Sequence, residues 1–186
     1  MALKHHPIIL SAIALLGLHS PSSAQSNSLS EAIASDYDKS LEALFIDFHK
    51  NPELSYQETR TASIIAREWR AAGWTVTEKV GGTGVVAVMK NGAGPTVMLR
   101  ADMDGLPLIE DTDLDYKSTA KQTGLDGKEK PVMHACGHDV QVTSLVGTAR
   151  QLSASKGTWS GTVVRIRHPA EANLGGTKAM RDEGPH

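Results

Sequence analysis

Apolar side chains at Ile33, Tyr37, Leu41, Leu44, Phe45 and Phe48 recur at three- and four-residue steps, the period of a helix with one buried face. Ser28 or Ser30 can cap it, and Asn51-Pro52 ends it. Glu58 to Ala72 predicts a second helix, with Ala62, Ile65, Ala66 and Trp69 on one side and Gly73 as its stop. The period then switches to that of strands. Thr75 to Val80, Val85 to Met89 and Thr96 to Arg100 are short β-prone runs separated by the turns Gly81-Gly82-Thr83-Gly84 and Asn91 to Pro95. The third run is apolar enough to lie inside a sheet. Asp102 to Tyr116 is acidic and irregular, and Lys117 to Pro131 is polar and expected as a loop. His138 to Ser153 predicts a helix through Val142, Leu145, Val146, Ala149 and Leu152. Thr162 to Ile166 is a β-branched strand, and Thr177 to Asp182 begins another helix. Such alternation implies an α/β fold, a mostly buried central sheet flanked by helices.

The first residues have a different character. Ile8 to Leu18 is an apolar run behind a weakly basic start, and Ser22-Ser23-Ala24 offers small residues for cleavage. The run is shorter than the roughly 20 residues that span a bilayer. Residues 1–24 are therefore expected to be a secretory signal, which makes the protein exported, periplasmic or extracellular; an uncleaved anchor or a disordered tail is the alternative. About 160 residues remain, enough for one domain with a core of its own. The net charge of −2, with basic residues scattered rather than striped, points away from nucleic acid and anionic membrane surfaces.

The chain has one cysteine, Cys136, and so closes no intramolecular disulfide. Its setting is Met133-His134-Ala135-Cys136-Gly137-His138-Asp139. Cys136 is a metal ligand, a reactive thiol or a small buried residue. A thiolate and an imidazole two positions apart can enter one metal shell, and that neighbourhood favours the ligand reading. Asp139 can hydrogen-bond His138 or cap the helix that follows. Asp102 ends the third strand and Glu171 follows the fourth. Ligand sites in open α/β sheets gather at the carboxyl ends of strands, so these clusters are expected to converge there, with Cys136, His138 and Glu171 facing one cavity. His49 reads as a structural helix residue and His134 as a loop residue near the site.

Four stretches carry a resemblance. They are His49 to Ser55 (HKNPELS), Leu99 to Pro107 (LRADMDGLP), Met133 to Asp139 (MHACGHD) and Gly175 to Met180 (GGTKAM). In this order and spacing they resemble the aminoacylase, hippurate hydrolase and indole-acetyl-amino-acid hydrolase family of two-metal metallopeptidases, from about Leu41 to Gly184. The resemblance implies metal-dependent hydrolysis of the amide bond of N-acyl amino acids or small peptides. It implies an incomplete zinc-peptidase-like catalytic domain in residues 25–186, with the dimerisation domain and the C-terminal catalytic part absent. It makes Cys136 and His138 metal ligands, Glu171 the general base and Asp102 a carboxylate that orients a ligand histidine; on residue type alone, Asp102 equally caps local backbone. Manganese or zinc suits these donors, and cobalt or nickel also binds them. The partner is a small-molecule substrate, and family members are often homodimers.

Two departures qualify this. The family's Gln-Pro-Ala-Glu-Glu run is here His168-Pro169-Ala170-Glu171-Ala172, so the second glutamate, a ligand in the family, is an alanine. Either His168 or Asn173 compensates, or the site has decayed. The same strand carries Arg165 and Arg167 where the family is usually apolar. The later ligand histidines of the family have no counterpart before His186. The chain alone is therefore expected to be inactive. The rival readings are a non-catalytic remnant, a thiol hydrolase built on Cys136, and a carboxypeptidase or dipeptidase of the same superfamily.

Overall fold

A computed structural model describes residues 22–171 and 180–182. The expectations for residues 1–21, Ala172, Asn173, most of the Gly175–Met180 stretch and His186 lie outside them. Three helical segments run on without a break: α1 (Ser22–Asp36), a π-helical turn (Tyr37–Leu41) and α2 (Glu42–Lys50). The helix thus begins well before Ser28, and its wide turn is pinned by Arg150. That guanidinium meets Asp36 Oδ1 and Glu68 Oε2, each at 2.7 Å. The expected apolar face is only half buried. Leu41 and Phe48 are in the core, but Ile33 and Tyr37 are 48% and 43% exposed. The helical period records which residues share a face, not whether that face finds a partner.

Helix α3 (Thr59–Ala71) and the strands β1 (Thr75–Val80), β2 (Gly84–Asn91) and β3 (Thr96–Asp102) follow as the pattern predicts. The polar stretch expected as a loop contains a hairpin, β4 (Lys121–Thr123) with β5 (Glu129–Pro131). Its alternating polar residues offer no hydrophobic face, so periodicity misses it. Helix α4 (His138–Ala154), a 3₁₀ turn (Lys156–Thr158) and β6 (Gly161–His168) complete the main elements.

The sheet order is β1-β2-β6-β3. The pairs β1–β2 and β2–β6 are antiparallel, and β6–β3 is parallel. Gly161 makes the entry to β6: its φ is +121°, and a Cβ there would lie 2.4 Å from the Pro95 carbonyl oxygen. Helices α3 and α4 cover one face. Ile65, Trp69, Val142 and Leu145 pack there on Val85, Ala87, Ala101 and Val163. On the other face Met180 joins Val80 and Val86. β3 is not interior as expected. Among the described residues it is one of the two outer strands of the sheet, β1 being the other, with Val97 48% and Met98 60% exposed.

Parallel pairing sets the position of the site. Asp102 and His168 are register partners at the last residues of β3 and β6. The Met103–Gly105 segment and the Pro169–Glu171 turn therefore leave the sheet side by side.

Candidate metal centre

Gly137 sits at the N-cap of α4 with φ +72°, a left-handed conformation that costs glycine nothing. The chain turns there, so that Cys136 lies outside the helix and His138 enters its first turn. This places the cap on Gly137 and not on Asp139. The Cys136 thiol is free and exposed, while His138 is 5% exposed. His138 Nδ1 donates to the Asp104 carbonyl oxygen at 2.8 Å and lies 3.3 Å from Asp104 Oδ1. Nε2 is left as the nitrogen able to coordinate, an arrangement that fixes ring orientation and tautomer in metal sites. Burial pulls the His138 pKa down, the Asp104 side chain and backbone push it up, and the balance is a raised value.

Asp104 is held in turn. Its Oδ2 accepts the Ser55 hydroxyl at 2.6 Å. Asp102 points to another partner: its Oδ1 lies 2.8 Å from Arg100 Nη2, and its amide donates to Gln141 Oε1. Its charge still reaches His138 and helps to raise the pKa of that ring.

Asp139 does not contact His138 in the way the sequence suggested. Its Oδ2 lies 2.6 Å from His49 Nδ1, and its Oδ1 accepts the Val140 amide. The other His49 nitrogen is 3.0 Å from Glu110 Oε1. His49 is thus an imidazole between two buried carboxylates. Burial lowers its pKa, the two carboxylates raise it, and the result is a raised value. Burial also pushes the Glu110 carboxyl up, but the Ser118 amide, the Thr112 hydroxyl and His49 hold it lower overall.

His134 is buried, and neither ring nitrogen has a hydrogen-bond partner among the described residues. Burial depresses its pKa to about 4, against the opposing pull of Asp139. Glu58 is fully buried. Its Oε1 accepts the Ala170 amide at 2.8 Å, and the Thr83 hydroxyl donates to its Oε2. Burial raises the Glu58 pKa. Glu171, one residue beyond Ala170, is half buried.

The sequence-derived residues are therefore brought together in part. Asp102 and His138 share one end of the sheet, Cys136 stands beside His138 in the chain, and Glu171 leaves the sheet at the same end. Among the described residues no group of three or more His, Cys, Asp or Glu side chains is spaced to hold a metal. Two cavities are lined by other residues. One, of about 530 Å³, lies between α1, α2 and α4; the other, of about 420 Å³, lies beside the β4–β5 hairpin.

The donor chemistry fits a divalent ion in part. An exposed thiol and an imidazole fixed through its far nitrogen are two suitable donors, and Asp102 and Asp104 add negative charge near the imidazole. Asp104, Ser55, Glu58 and Glu110 were not singled out from the sequence. Asp104 and Ser55 lie inside the quoted motifs, and two aspartates at alternate positions past a strand end are the available signal. Glu58 and Glu110 are acids in polar surroundings, and no local pattern marks them.

Comparison with known proteins bears on the same residues. Residues 98–186 match the sequence model of peptidase family M20/M25/M40. This stretch belongs to that family. The chain is 44% identical over 137 residues to hippurate hydrolase of Campylobacter jejuni, covering 73% of this chain and 33% of that protein. It is 45% identical over 140 residues to thermostable carboxypeptidase 2 of Saccharolobus solfataricus, with the same two coverages, 73% and 33%. The YXEP protein of Bacillus subtilis, described as a dinuclear metal binding peptidase of family M20, superposes with a TM-score of 0.69 at 31% identity. That match covers 83% of this chain and 40% of the other. The chain thus spans about a third of the length of the curated relatives it matches. These M20 relatives are enzymes, hydrolases or peptidases, and the central sheet flanked by helices is the architecture of their catalytic domains.

Proposed function

We propose that this chain carries the Cys–His half of the metal centre of an amidohydrolase acting on N-acyl amino acids or small peptides. The observation that carries the reading is the His138 ring, fixed by Asp104 through Nδ1, two residues from an exposed thiol. Cys136 and His138 would hold a divalent ion, manganese or zinc by preference. When bound, such an ion supplies Lewis acidity towards an amide carbonyl. Glu171 would accept the proton of the attacking water and pass it to the leaving nitrogen. By accepting from Nδ1, Asp104 orients the ring and leaves Nε2 as the nitrogen that would face the ion. The apolar run Ile8–Leu18 supports export of the protein.

Two protein donors fall short of the three that a hydrolytic site uses. The 186 residues alone are therefore expected to bind metal loosely and to release no amino acid from hippurate or an N-acetyl amino acid. Equilibrium dialysis against zinc should show binding that is lost in Cys136→Ser and in His138→Ala. Turnover by the isolated chain, abolished in Glu171→Gln, would show that fewer donors suffice. Similarity to a carboxypeptidase at 45% identity, beside 44% for the hippurate hydrolase, favours a second reading, removal of a C-terminal amino acid from small peptides. A longer homologue cleaving N-blocked dipeptides faster than hippurate would select it.

A further inference from the structure

The stretch between α2 and α3 was marked by its motif, yet it supplies no donor to the proposed centre. Its contacts give it a different task. Glu53 reaches forward to the first turn of α3, its two oxygens accepting the Arg60 and Thr61 amides at 2.9 and 2.7 Å. Glu58 occupies the N-cap of that helix but makes no side-chain cap bond. Relieved of that duty, its carboxylate crosses to the Thr83 hydroxyl and to the amide of Ala170, 112 residues away. Ala170 has φ +53°, in the left-handed region. A non-glycine residue there is strained and persists only when its surroundings hold it. The same stretch binds the other side of the site. Ser55 Oγ donates to Asp104, the Glu53 carbonyl accepts the Gly105 amide at 2.7 Å, and Leu54 bridges Gly105.

We propose that Ser55–Glu58 is a clamp that positions both halves of the site: Ser55 sets the metal-ligand ring through Asp104, and Glu58 sets the base-bearing turn through Ala170. Both are positioning residues. The Ser55 arm rests on the metal reading above, and the Glu58 arm is independent of it. Gln at position 58 keeps an acceptor for the Ala170 amide and can donate to Thr83, whose hydroxyl also accepts. Ala keeps neither.

Each arm has its own reporter in the full chain. Amide hydrogen exchange, read by NMR on alanine-labelled protein, follows Ala170. Cobalt titration follows the thiolate-to-cobalt charge-transfer band. Glu58→Ala should speed exchange at Ala170 about tenfold or more, the weight of a hydrogen bond to a charged acceptor. Ala87 and Ala101 in the sheet should keep their protection, and Glu58→Gln should restore that of Ala170. Ser55→Ala should weaken cobalt binding about tenfold or more, as expected of an outer-shell partner, with Ala170 unchanged. Unchanged Ala170 protection in Glu58→Ala, or an equal loss at Ala87 and Ala101, overturns the Glu58 arm. Cobalt affinity untouched in Ser55→Ala, when Cys136→Ser abolishes the band, overturns the Ser55 arm alone. A wild-type chain without a thiolate band removes the metal reading and the Ser55 arm with it, and the Glu58 result stands.

Discussion

His49 is a residue whose role changed once its neighbours were visible. In the sequence it closes a helix ahead of Asn51-Pro52, and a structural reading follows from that alone. In three dimensions it joins Asp139 of α4 to Glu110 of the long loop, with the rings of Phe45 and Tyr116 against it. These partners lie 90 and 61 residues away, beyond any local pattern. The same holds for Glu58. By contrast, Cys136 and His138 draw attention in the sequence itself, because a thiol, a glycine and an imidazole occupy three consecutive positions. The His49 arrangement sets a pH dependence. The groups facing it are Asp139, Glu110 and, through space, His134. Its folded pKa is raised, so its contribution to stability is complete below the ordinary imidazole value of about 6.5 and is lost as pH rises through the raised value. The urea midpoint should therefore fall as pH rises through that window. His49→Gln should lower the midpoint on the acidic side and flatten this part of the profile. A profile unchanged by His49→Gln would show that the raised pKa has no weight in stability.

At the scale of elements, periodicity located α3, α4 and every strand of the main sheet to within a few residues. Their apolar side chains meet the core in the order the pattern gives. It failed where burial depends on a neighbour: at the exposed start of the first helix, at β3 on the outer edge and at the polar β4–β5 hairpin. β6 poses the sharpest conflict. Arg165 and Arg167 point to the helical face between the strands and α4, and both are fully buried. Arg165 lies 4.7 Å over Trp74 and Arg167 5.7 Å over Trp69, and each donates to carbonyls of α4. Among the described residues no carboxylate pairs with either, and two nitrogens of each guanidinium have no hydrogen-bond partner. Burial depresses the pKa of Arg165 to about 10, and burial with the neighbouring Arg165 charge holds that of Arg167 well below its ordinary value. Cation–π contacts recover part of the desolvation cost, about 1–2 kcal/mol each, less than a buried ion loses. Arg165→Leu with Arg167→Leu should therefore stabilise the chain by about 1–4 kcal/mol, the range seen when buried charges give way to apolar side chains. Urea denaturation of the double variant measures this. A lower midpoint would mean that the tryptophan and carbonyl contacts outweigh desolvation.

For the molecule as a whole, one surface stands out by its chemistry. β3 pairs with β6 on one side, and among the described residues no strand pairs with its other side. Thr96, Val97 and Met98 are exposed, and the last two are apolar. An outer strand with exposed apolar side chains is a template for pairing with another chain. No proline or lysine lies within Thr96–Asp102 to oppose such pairing, and Arg100 is the only basic residue there. The expected behaviour is association that grows with concentration, through β3 of one copy against β3 of another. Met98→Lys places a charge on that strand without touching the α3–α4 core, because position 98 belongs to the exposed part of the strand. Sedimentation velocity over a concentration series should show the wild-type chain shifting to larger species and Met98→Lys remaining monomeric, with equal urea midpoints for the two proteins. Association unchanged by Met98→Lys would move the contact to the apolar groove between α1, α2 and α4, where Leu29→Lys and Ile33→Lys make the corresponding test.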